Sequence, residues 1–153
     1  MTKMVSNALV GIAGVHYVAA ELSRRGLIAL PTIRNTAGYD IIVATPDGKK
    51  HANIQVKTSQ KRVNYWPMPP SGKICAKPKD YYVLLRWDDS EKKFEGFMLR
   101  GGEAQAAVKD EEARQGARIR EGTRKVIFPC VQVAGRWEKL GNRWRRNWEK
   151  WNL

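Results

Sequence analysis

The segment YDIIVATPDGKKHANIQVKTS, residues 39–59, leaves this chain few choices of fold. Its first part, YDIIVAT (39–45), is a continuous β-branched run, and HANIQVKT (51–58) alternates apolar with polar. Alternation of period two puts Ile54 and Val56 on one face of a strand and Gln55 and Lys57 on the other. The D-G pair in PDGKK between the runs is a turn signal, so the two are predicted to form an antiparallel hairpin. A sheet must therefore organise the fold. The second strand also raises a chemical question. An ammonium is seldom buried without a partner because desolvating it is costly, so Lys57 beside Gln55 marks either a solvated edge or a site.

The rest of the chain supplies layers for that sheet. Ser6 or Asn7 caps a predicted helix that runs to about Arg25, where Gly26 ends it. Leu9, Ile12, Ala13, Tyr17, Ala20 and Leu22 cover much of its circumference, which predicts a largely buried helix. LIALPTIR (27–34) adds a further extended segment. SQKRVNYWPMPPSGKICAKPK (59–79) holds four prolines and no acidic residue and reads as a long irregular loop. YYVLLRW (81–87) and FEGFML (94–99) form a second hairpin signature, and GEAQAAVKDEEARQG (102–116) is helix-prone. The order is helix, three strands, basic loop, two strands, helix and a tail, AGRWEKLGNRWRRNWEKWNL (134–153). That order predicts an α/β or α+β arrangement around one mainly mixed sheet. With 153 residues the chain is expected to be one domain, its core at about 6–116 and a basic Trp-rich tail at about 134–153.

Charge narrows the partners. Lys and Arg number 28 against 15 for Asp and Glu, a formal +13, which attracts polyanions: nucleic acid first, an anionic membrane surface second. Lys61, Arg62, Lys73 and Lys77 of the basic loop are expected to face phosphates, with Tyr65 and Trp66 as stacking surfaces. In the tail, Trp137, Leu140, Trp144 and Trp151 follow a heptad-like spacing with Trp148 beside them. They are expected to dock on the domain or on a second subunit, a homodimer being one outcome, while Arg143, Arg145 and Arg146 face DNA. A basic amphipathic helix can instead lie on a membrane, a reading ranked lower because basic residues abound outside the tail. Cys75 and Cys130 lie far apart, which offers neither a zinc pair nor a disulfide framework and favours a cytoplasmic setting. His16 and His51 have no metal-site spacing, and Gly11, Gly14 and His16 interrupt the N-terminal apolar run, which is read as a helix rather than a signal peptide.

Asp40 opens the first hairpin strand, so it, Gln55 and Lys57 are expected at one end of the sheet. A carboxylate and an amide oxygen are hard ligands suited to Mg²⁺ (or Mn²⁺), and a lysine beside such an ion can orient a water. Asp40, fourteen intervening residues and then Gln55-Val56-Lys57 resembles the bipartite signature of the PD-(D/E)XK nucleases, the restriction-endonuclease-like superfamily shared by Holliday-junction resolvases. Gln in place of the usual acid is similar to the QxK form of Mrr-type restriction enzymes. YVAAELSRRGLIALP resembles the family's leading helix and first strand, and DYYVLLRW with FEGFML its later strands, so the resemblance spans Gly11 to Leu99. It implies a restriction-endonuclease-like α/β core, a mixed central sheet flanked by helices, here with a basic Trp-rich C-terminal helix. It also implies a metal-dependent DNA endonuclease, resolvase-like in its choice of substrate, with Asp40 and Gln55 on the metal and Lys57 on the attacking water. Many members with such a helix carry Glu directly after a glycine. Here that pair is Gly14-Val15, and Glu21 points to another side of the helix. Asp40 is then the single carboxylate at the site, and the competing expectation is a catalytically weak or inactive nuclease fold that binds nucleic acid.

Overall fold

The computed structural model describes residues 5–33, 38–124 and 126–153. Helix α1 (Asn7–Arg24) leads into strands β1 (Ile28–Pro31), β2 (Ile41–Ala44) and β3 (His51–Ser59). After β4 (Tyr65–Pro67) come β5 (Asp80–Asp88), β6 (Lys93–Arg100), α2 (Gly101–Arg120), β7 (Cys130–Gln132) and α3 (Glu138–Lys150). Five strands form one sheet in the order β1-β2-β3-β5-β6, and β4 with β7 forms a two-stranded ribbon. Every pairing in the large sheet is antiparallel except β3 with β5. The sheet is mixed and flanked by helices, and the basic Trp-rich tail is helical, as the sequence predicts.

The one parallel pairing explains the segment that reads as a loop. Parallel neighbours need a long crossover that returns over a face of the sheet. Here the crossover is residues 60–79; it anchors three side chains in the core while its lysines stay exposed. Trp66 is 2% exposed and donates its indole N–H to the carbonyl of Leu85 at 2.9 Å, while Met68 and Ile74 join the core. Trp66 is therefore a core residue, which corrects the expectation of a stacking surface.

Two apolar clusters lie on the two faces of the sheet. Tyr82, Leu84, Phe97 and Leu99 point towards α2 and the β4–β7 ribbon. Ile41, Ile54, Val83 and Met98 point towards α1. Helix α3 packs on β6 and serves both clusters, sending Trp144 into the first and Trp148 into the second. Gly96 of β6 makes room for it, since a Cβ there would lie 2.4 Å from the Trp148 ring. The tryptophans dock inside the molecule, so the alternative of an intersubunit seam built from them is set aside. No helix among the described residues is long and apolar enough to cross a membrane.

Helix α1 starts where expected, Ser6 accepting the Leu9 amide, and Gly26 at φ 86° turns the chain out of it. Its buried face differs from the predicted one. Val10, Gly14, Val18, Ala19 and Leu22 face the sheet, while Leu9 is 58% and Ile12 40% exposed. Apolar residues occur at nearly all angles of this helix, and the closest approach to the sheet decides between them. That approach is at Gly14, where a Cβ would lie 1.8 Å from Thr58 Oγ1.

Candidate active site

The site grows out of a mismatch in strand length. Strand β2 begins at Ile41, opposite Ile54, whereas β3 continues along β5 as far as Ser59 opposite Arg86. Beyond Ile54, β3 has lost its regular partner on the β2 side. Asp40 takes over there. Its amide donates to the Ile54 carbonyl at 2.9 Å, and its Oδ2 accepts the Val56 N–H at 2.7 Å. The carboxylate thus stands in for a main-chain rung at the residue between Gln55 and Lys57.

The segment around Asp40 is held from two sides. Thr32 donates its amide to the Asp40 carbonyl at 2.9 Å and its hydroxyl to the Tyr39 carbonyl at 2.7 Å. Burial and the nearby Asp80 carboxylate push the Tyr39 phenol up to about 12, which sets the turn beside the start of β5. Asp80 is 1% exposed, with Oδ1 on the Asn53 amide group at 3.1 Å and Oδ2 on the Lys77 N–H at 2.9 Å. Both its oxygens are engaged, so Asp80 braces the site rather than offering a ligand. This Asn53–Asp80–Lys77 bracing was not read from the sequence. The one local hint was an acid placed directly before the buried run YYVLLRW.

Asp40 opens into a cleft of about 530 Å³ between the N-terminal half of α1 and the adjoining ends of β1 and β2. Val15 and His16 line its helical wall, Asp40 and Val56 its sheet wall. Val15 therefore occupies the position from which a second carboxylate would face Asp40, and it is apolar. Glu21 is engaged elsewhere, bonded to Arg24 and Arg25, and those bonds hold its carboxyl below the usual range.

Gln55 and Lys57 flank Val56 on the other face of β3, opposite Tyr82 and Leu84 of β5. Both are half-buried, and neither side chain makes a hydrogen bond or ion pair among the described residues. The structure brings Asp40 to the backbone between them. It leaves their side chains across the strand from the cleft wall, so the three share one end of the sheet without sharing one wall. Among the described residues no group of three or more His, Cys, Asp or Glu is placed to hold a metal. The donors present are Asp40 Oδ1, which is without a hydrogen-bond partner among these residues, and the Gln55 amide oxygen. Both are hard oxygen donors of the type Mg²⁺ takes, but only Asp40 faces the cleft, and an ion there would keep most of its waters.

The proposed nucleic-acid contacts sort by pairing. Arg62 bonds Asp88 at 3.2 Å, Arg145 bonds Glu95 at 2.8 Å, and Arg143 bonds Glu103. Lys61, Lys73, Lys77 and Arg146 are exposed and have no ion-pair partner among the described residues. Tyr65 is 49% exposed and meets Phe128 edge-on.

No protein-family model and no curated protein matches the chain. Among solved structures, it is similar to the bacterial homing endonuclease I-Ssp6803I, with a TM-score of 0.42 and 18% identity over 60% of this chain. The match spans 65% of the length of that protein. At this distance the likeness concerns part of the chain's course only, and function has to be argued from the residues.

Proposed function

We propose that the protein is a metal-dependent DNA endonuclease that hydrolyses phosphodiester bonds at the end of the sheet marked by Asp40. One observation carries the reading. Gln55 and Lys57 are half-buried polar side chains with no partner, and they flank the one amide that the Asp40 carboxylate holds. Half-buried, their polar ends still reach water, so it is their place beside the Asp40 carboxylate rather than desolvation that points to a use. In this reading Asp40 Oδ1 would hold a Mg²⁺ at the strand end, and the Gln55 and Lys57 side chains, which lie across the strand from it, would have to turn past the strand edge to join it; bound there, the ion would polarise the phosphoryl oxygen and offset the developing charge. Lys57 hydrogen-bonds the attacking water and orients it in line with the scissile bond. The water oxygen bonds phosphorus, the bond to the leaving ester oxygen breaks, and the water proton passes to solvent while the leaving oxygen takes one up. Lys61, Lys73, Lys77 and Arg146 add phosphate affinity that weakens with salt.

Two copies would be needed to cut both strands of a duplex together, which makes a homodimer part of the proposal. A resolvase-like preference for branched DNA is its finer form. Incubation of supercoiled plasmid and of a four-way junction with Mg²⁺, Mn²⁺ or EDTA tests it: metal-dependent strand breaks support the endonuclease. A second reading is favoured by Val15, which leaves Asp40 as the only carboxylate lining the cleft among the described residues. Under it the chain keeps the fold and binds nucleic acid without cutting, and salt-sensitive binding with no cleavage in any metal is its signature.

A further inference from the structure

We propose that a second cleft, between α3 and the adjoining ends of β5 and β6, is a binding site for a nucleotide phosphate. The cleft measures about 530 Å³ and shares no lining residue with the Asp40 cleft. Arg100, Arg146 and Lys150 converge on it, with Tyr81, Trp151 and Asn147, and no carboxylate lines it.

The pairing pattern of the basic side chains makes this arrangement unusual. The neighbouring cations have found anions or carbonyls: Arg143 and Arg145 bond glutamates, and Arg25 bonds Glu21 and the Trp148 carbonyl. Arg100, Arg146 and Lys150 have no ion-pair partner among the described residues, although they line one concavity. Like charges gathered in this way repel, and a bound anion turns the same geometry into an attraction. Guanidinium forks match phosphate oxygens, and the ammonium adds a point charge.

The remaining lining fits the rest of a nucleotide. Tyr81 and Trp151 are half-buried and set edge to face with their centroids 5.3 Å apart, a fixed aromatic wall for a base or sugar. Asn147 reaches the Met98 carbonyl at 3.5 Å through its NH₂ group, which leaves its oxygen to accept from a base. The shared chemistry is a phosphate ester beside a flat ring, and it can come from a free nucleotide or from a nucleic-acid strand. The inference shares Arg146 with the nucleic-acid contacts of the nuclease reading but needs no atom of the Asp40 site, so loss of cleavage leaves it standing.

Calorimetry in EDTA, where no cutting occurs, tests it with adenosine 5′-monophosphate, adenosine, and a short single-stranded oligonucleotide. The protein is compared with the double variant Arg146→Gln/Lys150→Gln and with Lys109→Gln, an exposed α2 lysine outside the cleft. All three substitutions are at exposed side chains without ion-pair partners, and thermal melts verify that the variants fold. The phosphate-bearing probes should bind more tightly than adenosine. The double variant should lose about tenfold or more in affinity, and for the oligonucleotide its salt dependence should shallow by about two phosphate contacts, with Lys109→Gln nearly unchanged. Saturable binding of the mononucleotide assigns the site to free nucleotides; binding of the oligonucleotide alone assigns it to a strand. The proposal is overturned if neither phosphate-bearing probe binds, or if the double variant loses no more affinity per removed charge than Lys109→Gln.

Discussion

The Asp40 carboxylate accepts the Val56 N–H at 2.7 Å at the place where β2 stops and β3 goes on. One side chain is thereby both a piece of the sheet and, among the described residues, the only acidic group lining the cleft beside it. Substitution separates the two roles. Asp40→Asn keeps an oxygen for the Val56 amide and should leave urea denaturation nearly unchanged. Asp40→Ala leaves that amide without its partner and should cost about 1–3 kcal/mol. Both should lose metal-dependent cleavage, because neither retains the charge.

Val15 and Asp40 line opposite walls of the same cleft. Val15→Glu should therefore add a second carboxylate to the candidate metal site. Charge count is a main determinant of divalent-ion affinity, so Mn²⁺ should bind roughly tenfold tighter by calorimetry. Unchanged metal affinity would mean that position 15 does not address the ion.

Gly14 sets the distance between α1 and β3. In Gly14→Ala the new Cβ would lie 1.8 Å from Thr58 Oγ1, and overpacking of this kind costs about 1–3 kcal/mol. Thr58 Oγ1 is itself buried without a hydrogen-bond partner. Thr58→Ala alone should thus be tolerated, and combined with Gly14→Ala it should recover part of the lost stability in a double-mutant cycle.

Acid should loosen the α2–β7 region first. Glu111 is 1% exposed; burial pushes its carboxyl up, but bonds from Arg114 and Gln115 outweigh this and hold it below the usual carboxylate range. Gln115 in turn binds the Phe128 backbone at 2.6 and 3.0 Å, just before β7. A carboxyl depressed by folding contributes stability that is complete above its unfolded value and is lost as pH falls through the folded one. Denaturation midpoints should therefore decline below about pH 4.5, and less steeply in Glu111→Gln than in the parent.

What could be read from the sequence follows the range of the interactions. The β2–β3 hairpin was legible because alternation and a D-G turn are local signals. The buried face of α1 was not, because its choice rests on Gly14 meeting Thr58, 44 positions away in the sequence. Trp66 looked like loop because prolines and lysines surround it, yet a parallel β3–β5 pair compels that segment to cross the sheet. Asp40, Gln55 and Lys57 stood out by residue type and spacing. The bond that fixes Asp40, and the glutamates that occupy Arg143 and Arg145, depend on tertiary placement. Trp144 of the tail is 1% exposed in the core, so truncation at residue 134 would test stability before anything else.

Lys57 offers the most direct test of the central claim, being half-buried, unpaired and remote from the sheet's own hydrogen-bond needs. Nicking of supercoiled plasmid by the parent and by Lys57→Ala, in Mg²⁺ and in EDTA, should be measured alongside DNA binding by both proteins. The account predicts metal-dependent nicking by the parent, a fall of about 10²-fold or more in the variant, and little change in DNA binding. Equal nicking by the two proteins, or binding by the parent with no nicking in any metal, would contradict it.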